Sequence, residues 1–316
     1  MKKMLCGLLL FSALFSQAQN KTAQFDSLFR SLQKDKGFNG NVLIAENGKI
    51  IYQACLGYAN LSTKDTLKPN TVFELASLSK QFTAYAIMLL QRDGKLQYDD
   101  SLRMYFPELP FPGVTIRHLL NHTSGLPDYM DIFSRNWDTS KIATNKDVIQ
   151  IFAALKPPAL FAPGEKYDYS NTGYAFLGSI IEKASGQSYS EYLRNHIFQP
   201  LGMQQTQVLR RRYEKRTLPN YAYGYVQNDA GAYVLPDSIG EYHSMVYCLD
   251  GIVGDGTVNS TIEDLWIWDR ALHDYKLLSA EQFAPALKAP ALPNKRKSKY
   301  GFGWFADSTV IYGRLM

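Results

Sequence analysis

The chain has 316 residues, 46% of them hydrophobic, which suits one large globular domain or two interleaved ones with a filled core. Its formal charge of +5 is too small to indicate a nucleic-acid partner, and the densest basic run, Lys295-Arg296-Lys297, is typical of a solvated loop. The five histidines lack the spacing of metal ligands, so we expect no metal and no cofactor.

Residues 1–18 have the pattern of a secretory signal peptide. A charged start is followed by an apolar run from Leu5 to Phe15 and by the small-x-small site Ser16-Gln17-Ala18. The apolar run is too short to anchor the protein permanently in a membrane. We therefore expect a mature chain of residues 19–316 that is exported, either to the periplasm or to the medium, without a membrane anchor.

An amphipathic helix over 22–35 and a β-hairpin are predicted at the start of the mature chain. Asn41–Glu46 and Lys49–Leu56 are strand-like runs that flank Asn47-Gly48, a strong two-residue turn signal. Residues 57–73 have the composition of a polar connection. Since an isolated hairpin is only marginally stable, we expect further strands to join it.

A core helix is predicted from about Ser77, because apolar residues recur at helical spacing as far as Leu90 and Asp93-Gly94 supplies the usual glycine after the last turn. The region that follows is mostly helical. Two helices are predicted from their ends: 147–155, stopped by Pro157-Pro158, and 172–184, closed by Gly186. Two more are predicted from capping boxes at their starts. The first begins with Ser188 to Glu191 and ends before Pro200, and the second begins with Ser260 to Glu263 and carries Trp266 and Trp268.

Strand-like alternation returns only near the end of the chain, at Lys299–Ala306 and Thr309–Tyr312. These runs are the obvious source of additional strands for the N-terminal hairpin. The order of elements therefore predicts an α/β (α+β) fold with a sheet part, residues 19–76 and about 255–316, and an inserted helical part, about 77–254.

The stretch Ser77-Leu78-Ser79-Lys80 places a hydroxyl and an amine three residues apart, hence on one face of the helix and about one turn apart. A serine hydroxyl is a weak nucleophile until a base removes its proton, and a neutral lysine can do so. S-x-x-K followed by a Ser-x-Asn-type element is a signature of serine enzymes that react with penicillin, and Tyr169-Ser170-Asn171 supplies the second element.

Three segments in the same order resemble the motifs of the serine β-lactamase-related proteins, which include class C β-lactamases, D-alanyl-D-alanine carboxypeptidases and esterases of the same fold. They are Phe73–Lys80, Thr115–Pro127, and Pro163-Gly164-Glu165 with Tyr169–Tyr174. The resemblance covers about Gly40 to Trp304. It implies a β-lactamase/transpeptidase-like fold: an antiparallel sheet flanked by helices and built from both chain ends, an inserted helical subdomain, and an active site in the cleft between them.

The resemblance also implies catalytic roles. Ser77 would be the acylated nucleophile, with its backbone N–H in the oxyanion hole, and Asn171 would bind the amide of the substrate. Lys80 would be a neutral base, which requires its pKa to fall by roughly 3 units at a cost of about 4 kcal/mol, or it would stay charged and lower the pKa of Tyr169. The residues leave both alternatives open, with Tyr169 as the partner acid and base.

The third motif of the family, a Lys- or His-Thr/Ser-Gly triplet, has no counterpart near the C-terminus. Tyr300–Trp304 resembles the strand before it, but Arg314-Leu315 stands where the triplet is expected. His122–Gly125 has the right letters but belongs to the Thr115–Pro127 loop. We therefore expect the C-terminal strands and closing helix of the fold to be missing from this sequence, as in a truncated version of a longer enzyme.

Other chemistries have weaker signals. Export would permit a disulfide between Cys55 and Cys248, but nothing in the sequence brings them together, so we favour two separate thiols. Gly251, Gly254 and Gly256 form a glycine-rich turn that follows neither nucleotide-binding pattern, and we interpret it as structural.

These observations favour an exported serine hydrolase that forms an acyl-enzyme at Ser77 on an amide or ester. The substrate would be a peptidoglycan-type D-Ala-D-Ala peptide, a β-lactam or another small molecule such as an ester. The alternatives are a β-lactamase proper, or a non-catalytic binding protein or remnant, because the third motif is absent.

Overall fold

A computed structural model describes residues 21–293 and 298–306. The predicted signal peptide, the basic run Lys295-Arg296-Lys297 and the predicted strand Thr309–Tyr312 lie outside the described residues. Within the described residues, no helix combines the length and the apolar character that crossing a membrane would require.

The described residues form two compact units. The N-terminal unit contains the chain as far as Phe73 together with Leu218–Tyr223 and Thr261–Trp266. The larger unit contains Glu74–Thr217, Gly224–Ser260 and the described residues from Ile267 onward. All of the predicted site residues belong to the larger unit.

Helices and short antiparallel strands are interspersed along the chain. The helices are α1 (21–36), α2 (Ser79–Arg92), α3 (Leu102–Tyr105), α4 (Ile116–Leu120), α5 (Tyr129–Asn136), α6 (Asn145–Leu155), α7 (Asn171–Ser185), α8 (Tyr189–Leu193), α9 (Gln199–Leu201), α10 (Gly240–Cys248), α11 (Ile262–His273) and α12 (Ala280–Phe283). The strands are β1 (Gly40–Glu46), β2 (Lys49–Leu56), β3 (Tyr58–Asn60), β4 (Asp65–Thr66), β5 (Phe73–Glu74), β6 (Gln207–Val208), β7 (Val226–Gln227), β8 (Tyr233–Val234) and β9 (Val258–Ser260).

The predicted N-terminal hairpin is confirmed as the antiparallel pair β1–β2, whose register runs from Gly40 opposite Leu56 to Glu46 opposite Lys49. Asn47 and Gly48 both have positive φ, 52° and 73°, as a two-residue turn of this kind requires. Helix α1 packs on the hairpin through aromatic side chains. The ring centroids of Phe25 and Phe29 lie 6.0 and 5.7 Å from that of Tyr52.

Helix α2 is the buried centre of the larger unit. Its residues from Phe82 to Leu90 are buried without a break, and the helix packs against α7. Phe82 and Tyr85 contact Trp268 at centroid distances of 4.7 and 4.9 Å. A helix that is buried on nearly all sides holds its first turn in one position, which matters because that turn follows Ser77 directly.

A three-stranded sheet in the order β5-β9-β6 fixes the chain just before α2. The backbone N–H of Leu75 donates to the carbonyl of Val258 at 2.9 Å. In return, the backbone N–H of Val258 donates to Oγ of the buried Ser79 at 3.0 Å. These two bonds hold the residues on both sides of Ser77 against β9.

Two predictions about strands were wrong. Residues 57–73, predicted as connection, contain β3, β4 and the start of β5. The predicted strand Lys299–Ala306 is a tight turn over its described residues, closed by a bridge between Tyr300 and Phe305 and by the bond from Gly301 N–H to the Trp304 carbonyl at 2.9 Å. Alternating hydrophobicity over so few residues does not distinguish a strand from a short turn with one buried and one exposed aromatic end, here Tyr300 and Phe305.

Two predicted helix boundaries also differ from the structure. The helix opened by the Ser188 capping box does not end before Pro200: α8 passes through a π turn, Arg194–Phe198, into α9, whose first turn contains Pro200. A first-turn position tolerates proline, since the missing N–H would have no intrahelical partner there. Ser260 belongs to β9, and Thr261 Oγ1 instead accepts from the Asp264 N–H at 3.2 Å.

Candidate active site

Ser77 lies in a single 3₁₀ turn, Ala76–Leu78, between β5 and α2. The turn is entered through Ala76, whose φ of 46° is in the left-handed region that alanine seldom adopts. Ser77 is exposed, whereas Ser79 two residues later is fully buried. The strained entry to the turn presents the hydroxyl of Ser77, and not that of Ser79, at the surface.

Lys80 lies in the first turn of α2, only 1% exposed. Its Nζ is 3.1 Å from Ser77 Oγ, 2.9 Å from Asn171 Oδ1 and 2.8 Å from the backbone carbonyl of Asp255. An ammonium group has three N–H donors and could donate to all three oxygens. A neutral amine could donate to two of them and accept the proton of Ser77, so these distances by themselves fit either protonation state.

Tyr169 also contacts Ser77. Its hydroxyl donates to Ser77 Oγ at 2.8 Å, and its ring centroid lies 4.9 Å from Lys80 Nζ, close enough for a cation–π contact. The side chain is 40% exposed. The phenol therefore touches both the hydroxyl and the lysine while remaining accessible from solvent.

The start of α7 places Tyr169 and Asn171. Ser170 is the N-cap of this helix, and its Oγ accepts from the Gly173 N–H at 3.1 Å. An N-cap residue has extended backbone geometry, so the residues on its two sides point in directions fixed by the helix start. Asn171, the first residue of the helix, thus reaches Lys80 Nζ, while Tyr169, before the cap, reaches Ser77.

His122 supports this helix start from beneath. Its Nδ1 accepts from the backbone N–H of Ser170 at 3.0 Å, and its ring lies 4.4 Å from that of Tyr169. Burial, reinforced by the positive charge of Lys80, lowers the pKa of His122 to about 3. The imidazole is therefore neutral at pH 7, and it acts as a packing surface and hydrogen-bond acceptor.

Asp255 brings a buried acid to the site. Its Oδ2 accepts from the hydroxyl of Tyr129 at 2.8 Å, and its backbone carbonyl accepts from Lys80. The pKa of Asp255 is raised, chiefly because the carboxyl is buried, although the charge of Lys80 and the hydrogen bond from Tyr129 act in the opposite direction. The pKa of Tyr129 is well above its ordinary value, chiefly because the phenol is buried and then because Asp255 is negatively charged.

The glycine-rich turn positions Asp255. Gly254 has a φ of 105°, and a Cβ at this residue would overlap the backbone carbonyl of Tyr174. The carbonyl of Gly254 accepts from Thr83 Oγ1 at 2.6 Å, which ties the turn to α2. The interpretation of this turn as structural agrees with these contacts.

A cavity of about 370 Å³ opens onto Ser77. Most of its wall is apolar or aromatic, and Gln81 supplies a polar side chain there. The lining residues are Leu75, Ser77, Leu78, Gln81, Tyr169, Tyr300, Gly303, Trp304 and Phe305. Among the described residues, no group of three or more His, Cys, Asp or Glu side chains is arranged to hold a metal ion.

The structure brings together all four residues predicted from the sequence: Ser77, Lys80, Tyr169 and Asn171. Their catalytic roles remain predictions. Sequence reasoning missed His122, Tyr129 and Asp255, although each lies in or beside a segment that it had singled out. His122 lies in the Thr115–Pro127 loop, and Tyr129 follows that loop by two residues. Asp255 lies within the glycine-rich turn.

The two cysteines do not form a disulfide. Cys55 and Cys248 are both free thiols, and burial raises the pKa of each. Cys248 instead donates to the carbonyl of Thr139 at 3.2 Å. The preference for two separate thiols is confirmed.

Comparison with known proteins agrees with the predicted fold. The sequence model of the Beta-lactamase family matches residues 25–313. The chain is 46% identical over 299 residues to Penicillin-binding protein 4* of Bacillus subtilis (strain 168), an alignment that covers 94% of this chain and 66% of that relative. It therefore spans slightly less than two thirds of the length of that protein.

Solved structures show the same similarity. A penicillin binding protein from Bacillus halodurans superposes with a TM-score of 0.73 and 30% identity over 87% of this chain and 82% of its own. D-amino acid amidase from Ochrobactrum anthropi SV3, complexed with L-phenylalanine amide, gives a TM-score of 0.65 and 30% identity over 85% of this chain and 75% of its own. The chain belongs to the Beta-lactamase family, and its fold is β-lactamase/transpeptidase-like.

Proposed function

We propose that the protein is an exported hydrolase that forms an acyl-enzyme at Ser77 on an amide or ester substrate. The observation that carries this proposal is the contact of Ser77 Oγ with both Lys80 Nζ, at 3.1 Å, and the hydroxyl of Tyr169, at 2.8 Å. A hydroxyl held between an amine and a phenol has a group to take its proton and another to stabilise the charge that develops.

The reaction follows from this geometry. Ser77 Oγ forms a bond to the carbonyl carbon of the substrate while its proton passes to the Lys80–Tyr169 pair. The backbone N–H of Ser77 stabilises the oxyanion of the tetrahedral intermediate. Tyr169 returns the proton to the leaving nitrogen or oxygen, and water then hydrolyses the acyl ester by the same route in reverse. Asn171, bonded to Lys80, offers its amide N–H to the substrate.

The cavity favours substrates with an apolar or aromatic group beside the scissile bond. Tyr300, Trp304 and Phe305 form much of its wall, so an apolar or aromatic substrate group can be buried against them. One relative is a penicillin-binding protein and one similar structure is a D-amino acid amidase. Both names support amide-type substrates, such as a peptidoglycan-type D-Ala-D-Ala peptide or a β-lactam.

Export is proposed from the sequence of residues 1–18, which has the three regions of a signal peptide. The mature protein would act in the periplasm or outside the cell, where peptidoglycan peptides are accessible. Mapping the N-terminal residue of the protein recovered from its native host would test this. The proposal requires a mature N-terminus close to Gln19, and a retained Met1 would contradict it.

Labelling by a fluorescent penicillin tests the catalytic proposal. We expect covalent labelling of the wild type, none of Ser77→Ala, and labelling of Ser79→Ala, in which the neighbouring buried hydroxyl is lost. Circular dichroism would establish that each variant is folded. Labelling of Ser77→Ala at the wild-type rate would overturn the assignment of the nucleophile.

A further inference from the structure

Gln81 is a polar residue in the wall of the cavity that opens onto Ser77, and the reaction described above gives it no role. It lies in the first turn of α2, and both residues line the same cavity. The turn that carries Ser77 runs directly into α2, and side chains four positions apart on a helix are neighbours on one face. A substrate group bound to Gln81 is therefore held about one helical turn from the nucleophile.

The orientation of the Gln81 carboxamide is fixed by Trp268. The indole Nε1 of Trp268 donates to Gln81 Oε1 at 3.2 Å. An indole N–H can only donate, so the atom that faces it has to be the oxygen of the carboxamide and not the nitrogen. Trp268 is buried and packs against Phe82 and Tyr85. The carboxamide cannot turn over without breaking its bond to this buried partner.

Gln81 Nε2 is consequently the end of the side chain that remains for the cavity. Gln81 belongs to the cavity wall, whereas Trp268 does not. The nitrogen carries two N–H donors, and neither has an acceptor within residues 21–293 and 298–306. The side chain is half-buried, and a donor that loses water without gaining an acceptor costs free energy. A ligand that offers an acceptor here removes that cost.

The turn that forms another part of the wall packs directly against Gln81. A Cβ at Gly303 would lie 3.2 Å from Gln81 Cα and 2.9 Å from Ala84 Cβ. This turn carries Trp304 and Phe305, which also line the cavity. Hydrogen-bond donors placed in a mostly apolar wall are what gives a small-molecule site its specificity.

We propose that Gln81 is a specificity-determining residue whose Nε2 donates to a neutral carbonyl oxygen in the acyl group of the substrate. This oxygen would lie about three bonds from the carbonyl that Ser77 attacks, a span that fits one helical turn once the hydrogen bond is added. The acyl group stays on Ser77 through both half-reactions, so one contact serves acylation and deacylation. The inference rests on the proposed function.

The substrate class follows from this contact. Acyl donors with a second, neutral carbonyl, such as N-acylated amino acids, are favoured over plain alkanoyl groups of the same length. The apolar remainder of the acyl group packs on Trp304 and Phe305, as the composition of the wall requires.

Hydrolysis of two esters tests the inference. Para-nitrophenyl levulinate has a ketone where para-nitrophenyl valerate has a methylene, and they are otherwise identical. Gln81→Glu keeps an oxygen for the Trp268 N–H but has no N–H of its own at neutral pH. We expect the levulinate-to-valerate ratio of kcat/KM to fall by about threefold to tenfold from its wild-type value, the effect of one neutral hydrogen bond. An unchanged ratio would overturn the proposal.

Two further variants provide a matched control and a second route. Gln91→Glu makes the same chemical change further along α2, at a residue outside the cavity wall whose Nε2 donates to Gln97 Oε1 at 2.9 Å. It should keep the wild-type ratio, and a loss as large as that of Gln81→Glu would mean that any negative charge on α2 has this effect. Gln81→Met removes the donors without adding a charge, and it serves if Gln81→Glu does not fold. A wild-type ratio in Gln81→Met would contradict the proposal.

Nitrogen-15 NMR of the Gln81 side-chain amide separates this inference from the proposed function, because it requires no acylation. In Ser77→Ala, the amide signal can be assigned by its loss when Gln81→Glu is added. The dimethylamide of levulinic acid should shift this signal on titration, and the dimethylamide of valeric acid should not. Equal shifts with both amides, in a protein that hydrolyses the esters at Ser77, would overturn the inference and leave the proposed function in place. A shift specific to the levulinic amide, in a protein that hydrolyses neither ester, would support the Gln81 contact while refuting the proposed function.

Discussion

The hydroxyl of Tyr169 lies 2.8 Å from Oγ of Ser77, although 92 positions separate the two residues along the chain. The contact depends on two local structures: the strained turn that exposes Ser77, and the capped start of α7 that aims Tyr169 at it. Since each of these two local structures is fixed by its own hydrogen bonds, Ser77 and Tyr169 are in contact before any substrate binds. Such preorganisation is what an efficient proton transfer requires.

Removal of the Tyr169 hydroxyl is expected to abolish most of the activity. In Tyr169→Phe the ring contacts with His122 and Lys80 can persist, but no oxygen remains to exchange a proton with Ser77. General acid–base catalysis contributes about 10²–10⁴-fold, so we expect the acylation rate to fall by that factor. Stopped-flow measurement with a chromogenic β-lactam would check this.

The matched control is Tyr233→Phe, which removes the hydroxyl of a tyrosine that is 62% exposed on β8. It should retain the wild-type rate. If Tyr169→Phe also acylated within about threefold of the wild type, far less than general acid–base catalysis contributes, Tyr169 would not be the acid and base of the site.

The buried His122 should make stability depend on pH. Its pKa is about 3 in the folded protein and 6.5 ordinarily, so between these values the unfolded chain binds more protons than the folded one. The contribution of a neutral His122 is complete above pH 6.5 and is lost as the pH falls toward 3. From pH 7.5 to pH 5, we expect the free energy of unfolding to fall by about 2 kcal/mol through this residue.

Urea unfolding of the wild type and of His122→Asn at the two pH values would measure this effect. The variant is expected to be less stable at pH 7.5, since it loses packing, but to change less with pH than the wild type does. Parallel pH dependence in the two proteins would show that His122 already carries its charge in the folded state.

The two glycines on either side of Asp255 should respond very differently to alanine. Gly254 has a φ of 105°, and its Cβ would overlap the Tyr174 carbonyl, so Gly254→Ala is expected to cost at least about 2 kcal/mol. Gly256 has open space around its Cβ position, and Gly256→Ala should change stability by less than about 1 kcal/mol. Thermal and urea unfolding would compare them, and similar losses for both would contradict the assigned role of Gly254.

The N-cap of α7 can be tested at Ser170. Ser170→Ala removes the oxygen that accepts from the Gly173 N–H and should lower stability by about 1 kcal/mol. Ser170→Gly should cost less than Ser170→Ala, because glycine is much preferred to alanine at an N-cap. If urea unfolding gave the opposite order, capping would not be what Ser170 contributes to the fold.

The sequence was sufficient to predict the local parts of the site. Ser77 and Lys80 are one helical turn apart, and a spacing of this kind can be read directly from the chain. Tyr169 and Asn171 were identified through motif order, and the structure places both within hydrogen-bonding distance of the pair. The β1–β2 hairpin was equally local, since Asn47-Gly48 specifies its turn.

Long-range burial could not be predicted in this way. Asp255 contacts Lys80 across 175 positions, and an aspartate between two glycines has the composition of an exposed turn. His122 likewise follows a short helix in a loop, where histidines are usually solvated. Their burial results from the packing of α2, α5 and α7 against one another. The hydrophobic periodicity of a single segment does not predict such long-range packing.

Mass spectrometry of the intact protein after incubation with a β-lactam, followed by peptide mapping, would test the central claim most directly. The account predicts one covalent adduct with the full mass of the β-lactam, carried by Ser77 and absent from Ser77→Ala. An adduct carried by another residue such as Ser79, or no adduct on a folded protein at saturating β-lactam, would contradict it.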